Sequence, residues 1–315
     1  MRTFDGSNTA FDVVADLDLT GKKILITGAS GGLGAQAAKV LAGRGAAVVI
    51  AARDEAKSAQ VRSDILALHP GAEISYVKLE LDDLTSVRTA AKVVLADHPI
   101  LDVVIANAGV MACDQKQTLD GFEYQFGVNH IGHFMFTCML VPALQAATSA
   151  RVVVLSSAAH KFGAIDLEDY NFDNQQYQKW LSYGRSKTAN VLFALGLNKR
   201  LLALGITANA VHPGMIATDL GRHLTKEDMV QLGDMITNSG SQYKTVEQGA
   251  ATEVWAATAP ELAGKGGLYL EDNHIAEPAK KDSDGGYMPF AVDIAAADQL
   301  WTLTEKLVGE SFAWA

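Results

Sequence analysis

Tyr183 and Lys187 are the side chains whose types and spacing best fit acid–base chemistry, because they lie four residues apart in the sequence. Residues i and i+4 share one face of a helix, so the lysine ammonium is expected close to the phenol. A nearby cation favours the ionised phenol and would lower the tyrosine pKa below its ordinary value of about 10. The pair therefore predicts a proton donor and acceptor. A packed tyrosine beside a solvated lysine has the same spacing, so the other motifs decide between these interpretations.

A glycine-rich turn far upstream predicts a nucleotide site. Gly28, Gly32 and Gly34 separate an apolar run at 23–27 from a helical pattern. Such a turn brings backbone N–H groups and a helix N-terminus against a pyrophosphate, so a dinucleotide is the expected ligand. The spacing Thr-Gly-x-x-x-Gly-x-Gly departs from the G-x-G-x-x-G pattern of two-domain dehydrogenases. Taken alone, the glycines could also form a simple loop.

The residues after the second apolar run indicate which dinucleotide binds. NAD sites often place an acidic residue there to accept the ribose hydroxyls, whereas this chain has Ala52 followed by Arg53 and Asp54. Arg53 could pair with the 2′-phosphate of NADP, so NADP(H) is favoured. NAD(H) stays possible, because Asp54 could turn toward the ribose and leave Arg53 as a solvated residue at a helix start.

The elements that must position these residues alternate along the chain. Short apolar runs predict strands at 23–27, 46–52, 74–79, 101–106, 151–155, 206–211 and 267–270. Helical patterns fall at 35–42, 54–68, 84–96, 122–144, 183–204 and 246–259. This order predicts an α/β fold, a doubly wound parallel sheet with helices on both faces, because parallel strands need crossover connections.

We expect a single domain over 19–315, after an N-terminal extension 1–18 that is either a docked helix or a loose tail. The irregular stretches 158–181 and 215–245 follow predicted strands directly, where open α/β sheets have their ligand crevice. Both are interpreted as substrate loops, with surface decoration as the alternative.

Composition excludes several classes of partner. The chain has 315 residues, a formal net charge of −10 and a pI near 5.2, which argues against nucleic acids and anionic membranes as partners. No basic leader with a long apolar core and no apolar run of spanning length is evident, and the two cysteines form no disulfide framework. A cytoplasmic protein is expected. No metal site is predicted, because His130 and His133 have no third ligand in a zinc-like spacing.

Further motifs occur in an order that matches a known family over residues 20–270. After the glycine turn come Asn107-Ala108-Gly109, Asn129, Ser157, the Tyr183/Lys187 pair and Pro213-Gly214. The chain thereby resembles the short-chain dehydrogenase/reductase family, whose fold is Rossmann-like. The segments 129–134 and 183–190 and the wide spacing from Ser157 to Tyr183 resemble its retinol dehydrogenase and protochlorophyllide reductase branch. The segment 267–272 is similar to bacterial members of that branch.

The resemblance implies a role for each matching residue. Tyr183 would transfer the proton, Lys187 would lower its pKa and hold the nicotinamide ribose, and Ser157, in preference to Ser156, would bind the substrate oxygen. Asn129 would hold a water that relays protons, or would simply be bonded to backbone. The implied cofactor-binding residues are Gly28, Ser30, Gly32, Leu33, Gly34, Arg53, Glu80, Leu81, Asn107, Ala108, Gly109, Tyr183, Lys187, Pro213, Gly214, Ile216 and Thr218. Glu80 stands where the family usually has Asp, which puts its adenine contact in doubt.

The function implied is hydride transfer between NAD(P) and a bulky hydrophobic or aromatic ketone or aldehyde, or the corresponding alcohol. Reduction of a C=C bond is the alternative, and a non-catalytic nucleotide sensor is a remote one. His160, Phe162 and Trp180 could line the substrate pocket or only pack the loop 158–181. A homo-oligomer formed through the helices near 122–145 and 183–204 is possible by likeness to the family.

Overall fold

The structure, a computed structural model, describes residues 3–239, 242–280 and 285–314 of the chain. Its strands are β1 (Lys23–Thr27), β2 (Ala47–Ala52), β3 (Ile74–Lys78), β4 (Val103–Ala106), β5 (Ala150–Leu155), β6 (Ile206–His212), β7 (Met215–Ile216), β8 (Tyr243–Lys244), β9 (Tyr269–Glu271) and β10 (His274–Ile275). Its helices are α1 (Ala10–Val13), α2 (Gly32–Ala42), α3 (Glu55–Leu68), α4 (Leu84–Asp97), α5 (Tyr124–Phe126), α6 (Gly132–Gln145), α7 (Lys179–Leu201), α8 (Lys226–Ser239), α9 (Val246–Gly249), α10 (Ala251–Thr258) and α11 (Ile294–Val308).

The main sheet has the strand order β3-β2-β1-β4-β5-β6-β9-β10. Every neighbouring pair is parallel except β9 with β10, and in the register Leu25 lies between Val49 and Val104. The chain moves outward from β1 to β3 and then returns to place β4 on the other side of β1. This reversal opens a crevice at the carboxyl ends of β1 and β4, where ligands of open α/β sheets bind.

Both faces of the sheet are covered by helices. Successive strand residues point to opposite faces, so Leu25 belongs to one apolar core while Ile24 and Ile26 belong to the other. The first core contains residues of α4, α6, α7 and α11, and the second contains residues of α1, α2 and α10. The predicted fold class, a doubly wound parallel sheet, is confirmed.

One predicted helix is divided into three parts. The segment predicted as helical over 122–144 consists of α5, a π-helical turn at Gly127–Ile131, and α6. Gly132 begins α6 directly against the backbone carbonyl of Leu81, where a Cβ atom would collide. The wider turn places Asn129 at the irregular point of the segment, and π-helical turns occur frequently at functional sites.

The N-terminal residues are docked on the domain. α1 begins at a capping box made by Thr9 and Asp12, and it packs against α10. Ala10 and Val14 are fully buried. Of the two alternatives for the N-terminal extension, the structure therefore has the docked helix. The boundaries 1–18 and 19–315 stay a prediction.

The sequence predicted no helix after residue 270, yet α11 covers one face of the molecule. Trp301 of α11 packs on Phe134 of α6, with ring centroids 4.7 Å apart, and on Phe193 of α7. At the end of the helix, the Arg88 side chain of α4 donates hydrogen bonds to the Val308 carbonyl and to Glu310. The helices expected to mediate self-association thus already contact α11. No helix among the described residues combines the length and apolar character needed to cross a membrane.

Candidate active site

The glycine turn after β1 is bonded to the segment that follows β4. The Thr27 hydroxyl accepts a hydrogen bond from the Ala108 N–H at 3.0 Å, and the Asn107 amide donates to the Thr27 carbonyl at 2.7 Å. Gly28 has φ +70°, and a Cβ atom there would lie 2.8 Å from the Ala108 Cα. Only glycine fits this close approach without strain.

The start of α2 presents free backbone donors. Its N-cap residue is Gly31, so no side chain occupies the first N–H groups of the helix. Gly32 is exposed with φ +56°, and a Cβ atom there would lie 3.7 Å from Thr218, while Ser30 and Leu33 are half-buried. Uncapped N–H groups and the helix dipole together favour an anion. The geometry therefore fits the pyrophosphate of a dinucleotide.

The charged residues near this turn differ in their partners. Arg53 is exposed immediately after β2, whereas the Asp54 carboxylate caps α3 by accepting a hydrogen bond from the Lys57 N–H at 2.9 Å. Glu80 pairs with Lys78 at 3.0 Å. Asp54 and Glu80 thus already have partners within the protein. The Leu81 side chain is buried in the apolar core.

Tyr183 and Ser157 meet at the carboxyl end of β5. The Ser157 hydroxyl lies near enough to the Tyr183 phenol to counteract part of the rise in its pKa, and it accepts a hydrogen bond from the Ala159 N–H at 3.1 Å. Ser156 points elsewhere, because its buried hydroxyl donates to the Lys187 backbone carbonyl at 2.8 Å. The two neighbouring serines are therefore distinct, and of the two it is Ser157 that affects the pKa of the tyrosine.

Lys187 and Asn129 converge on Gly109. A Cβ atom on Gly109 would lie 3.6 Å from the Lys187 Nζ and 3.3 Å from the Asn129 Oδ1. The Lys187 ammonium donates to the Leu155 carbonyl at 3.1 Å and lies 5.7 Å from the centre of the Tyr183 ring. The structure thus brings Asn129, Ser157, Tyr183 and Lys187 together at one edge of the sheet.

The expected effect of Lys187 on the tyrosine pKa is not found. Burial raises the pKa of Tyr183 to about 12, against the opposing hydrogen bond from Ser157. Burial also lowers the pKa of Lys187 to about 8. The prediction considered the attraction between the two groups, but both are removed from water, and desolvation disfavours the charged form of each.

The side-chain amide of Asn129 is hydrogen-bonded to backbone. This is the alternative that the sequence left open beside the role of holding a water. Its Oδ1 accepts from the Val110 N–H at 2.8 Å, and its Nδ2 donates to the Val110 carbonyl at 2.9 Å. The same Nδ2 also donates to the Ser186 hydroxyl at 2.9 Å. The Asn129 backbone carbonyl is bonded to His133 Nδ1 at 3.0 Å. Asn129 therefore fixes the segment after β4 against α7.

The Pro213-Gly214 turn lies beside the Ser157 segment. The His212 Nδ1 accepts from the Ala158 N–H at 3.2 Å and from the Gly214 N–H at 3.4 Å. Gly214 has φ +101° and lies against the Lys244 side chain. Farther on, the side chains of Ile216 and Leu33 both lie next to Gly249, where a Cβ atom would contact each of them. The predicted cofactor residues on either side of the crevice are thus adjacent.

Two of the three candidate pocket residues lie partly at the surface. Phe162 is 43% exposed and Trp180 is half-buried. His160 is fully buried instead: its Nδ1 donates to the Ser157 carbonyl at 2.7 Å, and its Nε2 accepts from the Met288 N–H at 3.1 Å. His160 therefore packs within the loop and holds the Ser157 backbone carbonyl by a hydrogen bond.

Sequence reasoning missed the hydrogen-bonding roles of Thr27, His133, His160 and His212. A buried polar side chain needs a partner, so a histidine within the apolar run that follows Asn129 was a visible sign. Its partner, Thr27, could not be identified from the sequence. Among the described residues, no group of three His, Cys, Asp or Glu side chains could hold a metal ion.

Comparison with known proteins gives concordant results. A family model described as short chain dehydrogenase matches residues 22–229. "Probable oxidoreductase" of Streptomyces antibioticus is 40% identical over 292 residues, which are 90% of this chain and 97% of that protein. "Retinol dehydrogenase 14" of Homo sapiens is 38% identical over 303 residues, or 92% and 87% of the two chains. A crystal structure of a protein from Mycobacterium Paratuberculosis is 34% identical with a TM-score of 0.74, covering 96% and 98%.

The fold and the relatives define a nicotinamide-dependent oxidoreductase that interconverts alcohol and carbonyl groups. The chain belongs to the short chain dehydrogenase family and to the branch that contains its retinol dehydrogenase-like relatives. The resemblance predicted from the motifs is therefore confirmed at the level of family, fold and reaction class.

Proposed function

We propose that this protein uses NADP(H) to reduce bulky hydrophobic or aromatic ketones and aldehydes, with Tyr183 as the proton donor. The observation that carries the proposal is that the Ser157 hydroxyl and the Tyr183 phenol lie close enough to interact at the carboxyl end of β5, with the buried Lys187 ammonium beside Gly109 and the Leu155 carbonyl. Two hydroxyl groups that lie this near to each other can bind one carbonyl oxygen between them. That arrangement stabilises the negative charge that develops on the oxygen.

The protonation state of Tyr183 favours the reductive direction. With its pKa raised to about 12, the phenol keeps its proton at neutral pH and can donate it to a substrate oxygen. A bound nicotinamide in its reduced form would supply the hydride. Ser157 would hold the carbonyl oxygen, and the Lys187 ammonium would hold the nicotinamide ribose.

The preference for NADP(H) rests on two side chains. Arg53 is exposed next to the glycine turn and can reach a 2′-phosphate, while Asp54 is engaged in capping α3. The alternative in which Asp54 binds the ribose would require that cap to break, and losing a helix cap costs about 1 kcal/mol. Together these observations support phosphate recognition at Arg53.

A large apolar substrate is supported by side chains on both substrate loops. Phe162 is 43% exposed, and Met229 and Val230 on α8 are 56% and 65% exposed. Large apolar groups exposed near an active site commonly mark a binding surface. The two cysteines are free thiols, which supports the proposal of a reducing, cytoplasmic setting.

Fluorescence titration of NADPH and NADH tests the cofactor proposal. NADPH should bind the wild type more tightly, and the Arg53→Ala variant should lose about 10- to 100-fold in NADPH affinity, the value of a charge-assisted contact. NADH affinity should stay within twofold and serves as the internal control. A wild type that prefers NADH would contradict the role given to Arg53.

A panel of aromatic ketones and aldehydes with NADPH tests the catalytic proposal. Tyr183→Phe should lower kcat at least 100-fold and leave NADPH binding intact, since a positioned acid contributes about 10²- to 10⁴-fold. The adjacent serines provide a matched pair: Ser157→Ala should lose about 100-fold and Ser156→Ala less than tenfold. Full turnover by the Tyr183→Phe variant would exclude the mechanism. Saturation of the double bond of an enone would point to C=C reduction.

A further inference from the structure

His133 lies at the centre of a buried hydrogen-bonded path between the cofactor turn and the catalytic helix. The side chain is 1% exposed and lies one helical turn after Asn129. Its Nε2 is 2.8 Å from the Thr27 hydroxyl, and its Nδ1 is 3.0 Å from the Asn129 carbonyl oxygen. One ring thus joins the first residue of the glycine turn to the π-helical turn.

The direction of each bond in this path follows from its ends. A carbonyl oxygen only accepts, so the His133 Nδ1 carries the hydrogen and the Nε2 of the neutral ring is an acceptor. Thr27 must then donate its hydroxyl hydrogen to Nε2, which leaves its oxygen free to accept from the Ala108 N–H. Burial lowers the pKa of His133 to about 4, so the neutral ring that this pattern requires is present at neutral pH.

The path continues from Asn129 to the backbone of Tyr183. The Asn129 amide donates to the Ser186 hydroxyl at 2.9 Å, and Ser186 donates to the Tyr183 carbonyl at 2.7 Å. Each of these side chains is almost completely buried. Each hydrogen bond in this path has a fixed donor and a fixed acceptor. A displacement of the Thr27 hydroxyl is therefore opposed by every bond in the path.

We propose that His133 is a positioning residue that couples the cofactor-binding turn to the catalytic helix. Its Nε2 bond fixes the Thr27 hydroxyl and with it the Ala108 backbone beside the glycine turn. Its Nδ1 bond fixes the Asn129 carbonyl and thereby the amide that supports Ser186 and the Tyr183 turn. This inference rests on the proposed function, because it assigns a supporting residue to the same site.

Two substitutions separate the two bonds of the ring. In His133→Asn the amide nitrogen replaces Nδ1 and keeps the bond to Asn129, but the side chain is too short to reach Thr27. In His133→Gln the amide oxygen replaces Nε2 and keeps the Thr27 bond, but the donor to Asn129 is lost. Thr27→Val removes the Thr27 bond from its other end with little change in shape, and it also removes the acceptor of the Ala108 N–H.

The variants are expected to affect different kinetic constants. His133→Asn should weaken NADPH binding about 3- to 10-fold, the value of one buried hydrogen bond, and Thr27→Val should weaken it at least as much because it also removes the bond to Ala108. The double variant should lose no more affinity than Thr27→Val alone, because that substitution already breaks the bond that His133→Asn removes. His133→Gln should instead lower kcat about tenfold and change the NADPH dissociation constant less than twofold.

His130→Asn is the matched control. His130 is a buried histidine of the same segment, but its Nε2 is bonded to Thr304 of α11 rather than to the cofactor turn. Its substitution should lower the melting temperature and leave NADPH affinity unchanged. If the His133 variants behave in the same way, or if the losses of His133→Asn and Thr27→Val add, the positioning role is excluded. A wild type that binds NADPH but reduces no carbonyl would contradict the proposed function instead, since the affinity measurements need no turnover.

Discussion

Replacement of Glu253 by glutamine should stabilise the folded protein at neutral pH. The Glu253 side chain is completely buried within α10, and neither carboxyl oxygen has a hydrogen-bond partner among the described residues. Burial raises its pKa from 4.5 to about 8. A buried carboxyl without a partner stays protonated at a pH where the same group ionises freely in the unfolded chain.

The size of the effect follows from the difference between the folded and unfolded pKa. Between pH 4.5 and 8 the folded state keeps a proton that the unfolded state releases, so the free energy of unfolding falls as the pH rises through this window. Each pH unit contributes about 1.4 kcal/mol. At pH 7.5 the carboxyl therefore destabilises the fold by about 4 kcal/mol relative to pH 4.5. This is a large share of the free energy of unfolding of a native protein, which is usually about 5 to 15 kcal/mol.

Urea unfolding followed by circular dichroism at two pH values measures this effect. Glu253→Gln should raise the free energy of unfolding by about 4 kcal/mol at pH 7.5 and by less than about 1 kcal/mol at pH 5. The control is Glu247→Gln on α9, where the carboxylate is exposed and its pKa is lowered by hydrogen bonds. That control should change stability by less than about 1 kcal/mol in the opposite direction. An equal effect of Glu253→Gln at both pH values would refute the reasoning, because it would show that ionisation is not involved.

Two further predictions concern packing. Gly28→Ala should lower the free energy of unfolding by at least about 2 kcal/mol, since φ is +70° and the added Cβ would lie 2.8 Å from the Ala108 Cα. Gly31→Ala, in the same turn with nothing within 4 Å, should change stability by less than about 1 kcal/mol in the same urea experiment. Trp301→Ala should cost about 3 to 5 kcal/mol because the ring is buried against α6 and α7, whereas Ile294→Ala, 45% exposed on the same helix, should cost less than about 1 kcal/mol. Equal losses within either pair would contradict the packing argument.

Local patterns predicted the sheet well, because its strands are short apolar runs separated by helical segments. The run at 23–27 was assigned correctly as β1 from its own residues. The motif order also identified the side chains that meet at the carboxyl edge of the sheet. These inferences need only neighbouring residues or a fixed order along the chain.

Properties that depend on distant residues could not be predicted. The Tyr183 pKa is set by burial among several elements, so the pairing with Lys187 gave the wrong direction. The partner of His133 lies 106 residues away in the sequence, and nothing local marks it. α11 was not predicted either. Its Trp301 packs on residues of α6 and α7 that lie far earlier in the sequence.

The position of α11 along the chain also affects synthesis. α6 ends at residue 145, and the helix that covers its aromatic face begins at residue 294. At about 5 to 20 residues per second, a ribosome needs about 7 to 30 s to complete that interval. During this time Phe134, and Phe193 once it has been synthesised, lack the Trp301 ring that packs on them in the finished protein. The nascent chain therefore exposes an aromatic surface long enough for chaperones to bind it.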